Sequence, residues 1–319
     1  MIELPICRPS VISYLHHANP LAIAETFPDA PHYLSNYFLQ IYLSVEEDGH
    51  VDFYCHDGKL PRYPFVCNAW VPARTLRAMG NIHSVVQAVL SSGCYFEALL
   101  DEYYIKSRFT YGKIHLPHQN LIYGFDPVLQ EYLAIGFTSS GAYSSYTLSL
   151  AELDTALSDD LGASILSLVT EWEFLNDKAF SPAVVKQYLQ DFVSSTNRFV
   201  AYAPPGSVYG RDVYGRVLQS FANSDGQVRD IRPWCVFHEH KQKLAGLYRY
   251  LRTFRGVDAR PRLERQLKQI SVDFLALRDH LVQCSLRRVH VDAAKLRVNL
   301  ATITACESDA VSELAELVA

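Results

Sequence analysis

The stretch Gly93 to Asp126, GCYFEALLDEYYIKSRFTYGKIHLPHQNLIYGFD, constrains the fold more than any other part of the chain. Cys94 to Tyr104 is aromatic and apolar enough for a buried strand, and Leu121 to Phe125 is a short apolar run closed by Gly124 and Asp126. Two strands joined by a polar loop are therefore expected. His115 and His118, separated by Leu116 and Pro117, fall where the second strand begins. A histidine at the mouth of a strand is held by the ladder on one side and open to a cleft on the other, which suits a general base. A lone loop histidine is more often simply solvated, so its weight comes from what accompanies it.

A helical segment around Ile82 to Leu90 precedes SSGCYFEALLDEYYI, and HQNLIYGFD, a further strand and LSLAELDTAL follow. This order resembles the butirosin biosynthesis protein H N-terminal family, whose members are similar to the papain-like peptidases of bacteriocin-processing transporters. The resemblance covers roughly Ile6 to Leu157, and its most specific pieces are Asp101 to Ile105 and His118 to Asp126. HYLSNYFLQIYLS from His32 and RDIRPWCVFHEHKQKL from Arg229 look, more loosely, like segments of standalone relatives in bacterial peptide and polyketide biosynthesis clusters.

The resemblance implies an α+β fold. A papain-like domain, with an N-terminal helix and an antiparallel sheet, is expected over residues 1–150, and an all-helical domain, a lid or docking platform, over 151–319. It also implies that His118 is the active-site histidine and that the nucleophile is an early cysteine at a helix start. Cys7 alone lies near the start of the sequence, and CRPSVISYL permits a helix: Pro9 is tolerated in a first turn, and Val11, Ile12 and Leu15 recur at helical spacing. There the helix dipole and Arg8 would favour the thiolate, and first-turn N–H groups would serve an oxyanion. The plain alternative is a small buried apolar residue.

Related thiol enzymes carry an aspartate or asparagine on the strand after the histidine strand, whereas Glu131 to Phe137 reads EYLAIGF, with Gly136 near that place. Asp101 and Asn120 are the first candidates to orient His118, with Asp126 behind them. Substrate contacts are expected from Arg8, Tyr103, Tyr104, Tyr111 and His115. The triad is either completed by one of these groups or has decayed.

A net charge of −5 and a pI near 6.2 leave no electrostatic footprint for nucleic acid. No apolar run approaches the length of a membrane span, and no secretion signal is read at the N-terminus, so the expected location is the bacterial cytoplasm. Seven widely spaced cysteines without a C-x-x-C argue against a disulfide framework and against zinc. His16-His17 and His238-x-His240 lack the carboxylate spacing of a metal motif, and His238 to Lys241 reads as a polar helix start.

Composition shifts near residue 150. Short β-like runs at Phe38 to Val45, Val51 to Tyr54 and Glu131 to Phe137 precede it. Ser149, with Glu152 three residues on, has capping-box spacing. Helices are expected at about 160–174, 181–195, 207–222, 233–254, 259–284 and 288–316, with a hinge-like break at Ala201 to Gly206 around Pro204-Pro205. The last helices carry Arg260, Arg262, Arg265, Lys268, Arg278, Arg287, Arg288, Lys295 and Arg297. Such a face is usually solvated but would also suit an acidic carrier protein and its phosphate.

The expected function is acyl or peptidyl transfer from an acyl or peptidyl carrier protein, through an acyl-Cys7, to a small-molecule or peptidyl acceptor. No cofactor is expected beyond a phosphopantetheine arm on the partner. Amide formation, cyclisation and hydrolysis by a thioesterase or peptidase remain open, as does a non-catalytic binding or scaffolding protein on the same shell.

Overall fold

The computed structural model describes residues 1–44, 50–58, 63, 66–158, 160–168, 179–199 and 205–318. The fold is mixed α+β, with an antiparallel sheet in the first half and helices gathered toward the C-terminus. The chain forms two compact units, one of residues 1–30 and 63–173, the other of 31–62 and 174–319. A boundary at 150 is therefore displaced in two ways: a 32-residue excursion near the N-terminus belongs with the helical half, and the sheet takes one more strand after 150.

The first unit is built on β1 (Ile2–Glu3), β4 (Val66–Pro72), β5 (Tyr95–Asp101), β6 (Pro117–Asp126), β7 (Glu131–Phe137), β8 (Tyr143–Ser149) and β9 (Gly162–Leu168), with β2 (Ile41–Leu43) and β3 (Val51–Phe53) in the other unit. The order is β4-β9-β5-β6-β7-β8, every pairing is antiparallel, and β1 adds to the far end of β6. Side chains alternate across such a sheet, so each face buries its own cluster. On one face Tyr95, Leu121, Tyr123 and Ile135 meet Leu15, Ala18, Ala22 and Ile23 of α1 (Leu15–Ala24). On the other, Phe96, Ala98, Ile122, Ala134 and Tyr146 meet α3 (Ala73–Ala78), α4 (Ile82–Ser91) and α5 (Leu150–Ala156) through Leu76, Val86, Leu90 and Leu153.

Three local expectations are corrected in this unit. No helix starts at Cys7; α1 begins at Leu15, and the Cys7 N–H is spent on the Ala22 carbonyl instead of opening a first turn. The helix expected at 160–174 gives way to β9 at Gly162–Leu168, and residues 169–174 lie outside the described residues. β9 lies between β4 and β5, so Ala163 packs into one cluster and Leu166 into the other. A short apolar run buried on both faces carries no period that separates strand from helix. Finally, the strand expected over Cys94 to Tyr104 ends at Asp101, whose side chain accepts from the Tyr103 N–H and caps a 3₁₀ turn at Glu102–Tyr104. Ser149 and Glu152 do form a reciprocal capping box.

The second unit holds α2 (Ala30–Leu34) for the most part, a small sheet of β2 (Ile41–Leu43), β3 (Val51–Phe53) and β10 (Val208–Tyr209), and helices α6 (Pro182–Ser194), α7 (Asp212–Asn223), α8 (Arg232–Phe254), α9 (Pro261–Arg287), α10 (Ala293–Ala305) and α11 (Glu307–Leu317). α7 starts five residues later than expected because Val208–Tyr209 pairs with β2 and Gly210 turns at φ +59°. A Cβ there would sit 2.4 Å from the Phe192 carbonyl oxygen, so only glycine fits. The expected helix at 288–316 is two helices, interrupted after Arg288 adopts φ +54° and again at Cys306. His238 to Lys241 lie in the middle of α8 and are buried, which replaces the reading as a polar helix start. The hinge expected at Ala201 to Gly206 lies, through Pro204, outside the described residues.

Candidate acid–base site

Consecutive carboxylates leave the end of β5, and each takes a histidine. Asp101 Oδ2 lies 2.6 Å from His115 Nδ1, and Glu102 Oε1 lies 2.9 Å from His118 Nδ1. Leu100 pairs with His118 and Asp101 with Pro117, so the ladder itself brings the carboxylates and the imidazoles to one end of the sheet. The orienting group of His118 is thus Glu102, the neighbour of the expected Asp101. Asp101 serves His115 and also accepts from the Leu116 N–H at 3.0 Å.

Glu102 is anchored from behind. Its Oε2 accepts from the Thr110 hydroxyl at 3.1 Å, and Arg108 Nε lies 3.4 Å from Oε1. Burial raises the Glu102 carboxyl, but the hydrogen bond from His118 and the charge of Arg108 outweigh it and hold the group below its ordinary range. Being ionised, Glu102 can only accept, so in the neutral ring of His118 the proton sits on Nδ1 and Nε2 presents a lone pair. Among the described residues Nε2 has no hydrogen-bond partner, and the His118 side chain is 36% exposed.

Arg108 is wholly buried and ties this pair to the sheet. It donates to the Phe137 carbonyl, to Asn120 Oδ1 and, at 2.9 Å, to the Tyr146 hydroxyl, which itself donates to Asn120 Oδ1 at 2.5 Å. Asn120 therefore braces Arg108 with its oxygen, while its amide donates to the His118 carbonyl at 2.7 Å and not to the ring. Gly136 makes room for the guanidinium: a Cβ there would stand 2.6 Å from Arg108 Nη2. The space beside Gly136 is filled by an arginine reaching in from the loop.

The thiol lies elsewhere. Cys7 donates its N–H to the Ala22 carbonyl at 3.0 Å, and its Sγ lies 3.6 Å from the same oxygen, near the C-terminal, negative end of α1. Burial, followed by the charge of Glu25, pushes the thiol up to about 11. Ala22 packs with Leu121 and Tyr123 on one face of the sheet, whereas His118 and Asn120 share the parity of Ile122 on the other. Cys7 and His118 are consequently separated by the sheet, and the expected activated thiolate is corrected to an unactivated, half-buried thiol. Arg8 is exposed beside it.

Among the expected substrate contacts, Tyr103 stacks on the His115 ring at 4.1 Å between centroids, and Tyr104 meets it edge-on. Tyr111 is exposed in the same loop, together with Phe109, Ile114 and Leu116. An exposed apolar surface of this kind can hold an apolar substrate. Asp126 accepts from the Val128 and Leu129 N–H groups in the β6–β7 turn, at the other end of β6 from His118.

Glu102, Arg108, Thr110 and Tyr146 were not singled out from the sequence. Gly136 was the available signal, since a glycine inside a strand marks a close approach by another group. No described helix is long and apolar enough to cross a membrane. No protein-family model matches the chain, and no curated protein matches it.

Proposed function

We propose that the chain handles acyl groups through acid–base catalysis, with His118 as the general base and Glu102 as its orienting acid, and without an acyl-cysteine. The observation that carries this reading is the 2.9 Å bond from His118 Nδ1 to a carboxylate locked by Arg108 and Thr110. A base held in this way typically contributes about 10²–10⁴ to rate. The acyl class comes from the likeness of Asp101 to Ile105 and His118 to Asp126 to the butirosin family. In this reading the sheet is a papain-like shell that keeps the acid–base half of a thiol enzyme and lacks its nucleophile. The acyl group arrives on the phosphopantetheine arm of a carrier protein and lies against Tyr104, Tyr111 and Phe109. His118 Nε2 takes the proton from an acceptor amine, hydroxyl or water as it attacks the thioester carbonyl, then returns it to the leaving thiol.

The test is turnover of a panel of acyl-loaded carrier proteins, followed by intact-mass spectrometry of both proteins. His118→Gln and Glu102→Gln should each lose roughly 10²-fold or more, Cys7→Ser should keep its rate, and no acyl adduct should form on this chain. An adduct that disappears in Cys7→Ser would overturn the reading. The position of Cys7 favours one second reading, a binding protein on the same shell, and intact binding of carrier proteins without turnover would support it.

A further inference from the structure

The second unit has a cleft of about 470 Å³ where the end of α6 meets α7 and α10. That volume is within the range of small-molecule sites. Arg211 and Arg297 line it, with Asp212, Ser194, Ser195, Tyr214 and Thr304 among its polar groups. Arg211 spends one of its donors on the Thr304 carbonyl at 3.2 Å. Among the described residues its side chain makes no other hydrogen bond, and the side chain of Arg297, which is exposed, makes none. A guanidinium carries five donors in a planar fork, so most of this donor capacity is unused.

Beneath the cleft the charges are already balanced. Lys241, buried, is paired with buried Glu307, and Tyr214, which lines the cleft, bonds both through its hydroxyl. Lys241 is lowered by burial, which outweighs Glu307, and the charge of Arg211 adds to the lowering. In the cleft itself, two guanidinium groups face one carboxylate, Asp212, which leaves one positive charge.

We propose that this cleft binds a small organic monoanion, a carboxylate, forked by Arg211 and Arg297, with its carbon chain on Leu218, Leu300 and Ala301. Planar carboxylates accept two parallel N–H bonds from one guanidinium, which a single ammonium does not offer. Asp212 disfavours a dianion, because the second negative charge would face a carboxylate with no cation left to meet it.

Calorimetric titration of the full chain with butyrate, at ionic strength fixed by sodium chloride, tests this. Saturable binding is expected, weakened about tenfold by Arg297→Gln, the loss of one charge-assisted bond. Arg297 is exposed, so that variant should fold; Arg211→Lys, which keeps the charge and loses the fork, should weaken binding in the same direction. Inorganic phosphate, largely dianionic at pH 8, should bind more weakly than butyrate, and Asp212→Asn should narrow that gap. Absence of saturation, binding indifferent to both arginine variants, or phosphate binding more tightly than butyrate would each overturn the proposal.

Discussion

Both units bury a carboxylate against a cation, but only one of these networks reaches solvent through a titratable ring. In the first, Arg108 and Glu102 lie inside and His118 emerges, with one ring nitrogen bonded and the other free. In the second, Lys241, Glu307 and His240 are all buried; Lys241 Nζ lies 2.7 Å from His240 Nδ1, while His240 Nε2 meets the Leu39 carbonyl at 2.9 Å. The same ingredients thus leave an accessible ring nitrogen in one place and close into a clamp in the other. Buried charge alone does not mark a site; a fixed group with one unspent, accessible atom does.

The clamp should give the largest effect. Glu307→Ala strands Lys241 in an apolar interior among Phe192, Tyr214 and Phe274 and should cost about 3–5 kcal/mol, read by urea denaturation. A loss under about 1 kcal/mol would mean that the pair is not sealed. Arg108→Met should follow closely, since it leaves Glu102, Asn120 and Tyr146 without their shared partner. Gly136→Ala drives a methyl into the guanidinium and should cost about 1–3 kcal/mol.

Acid should separate the units. Burial, ahead of the Arg278 charge, lowers His238 to about 4, and burial, then the charge of Lys241, holds His240 well below the ordinary imidazole range. Their unfolded forms take up protons first, so the second unit should lose stability as pH falls from about 6.5 toward 4. Asp101 and Glu102 are both held below the ordinary carboxylate range, where hydrogen bonds outweigh burial. Their contribution is lost only as pH falls through those lower values. Glu97, raised by burial, favours the first unit as acid protonates it. Hydrogen exchange read on peptides of each unit should show 174–319 opening at a higher pH than 63–158; the reverse order would contradict this assignment.

The smallest effect belongs to Cys7. With its thiol near 11, only about 10⁻⁴ is ionised at pH 7, so iodoacetamide should label exposed Cys67 well before it. Preferential labelling of Cys7 would restore the thiol mechanism.

Much of the first unit was legible in the sequence. β7 is bounded by Glu131 and Phe137, the ends of that short β-like run, and Ser149 with Glu152 gives away the start of α5. Signals of this kind are local, and neighbours do not override them. β9 was not legible, because burial on both faces erases the period. Arg108 was hidden for a different reason: a loop arginine between Ser107 and Phe109 reads as solvated until the loop folds back over Gly136. The identity of the His118 partner turned on one residue, and only the turn after β5 decides between Asp101 and Glu102. The place of Cys7 is not legible either: Val11, Ile12 and Leu15 have helical spacing, but the helix that forms starts only at Leu15 and meets Cys7 through its last turn.

The most direct test is the tautomer of His118, read from ¹⁵N chemical shifts and long-range couplings in histidine-labelled protein at a pH where the ring is neutral. The account predicts a proton on Nδ1 and a bare Nε2 in the wild type, with that preference lost in Glu102→Gln. A proton on Nε2 in the wild type would contradict it, because the exposed nitrogen would then have no lone pair with which to act as a base.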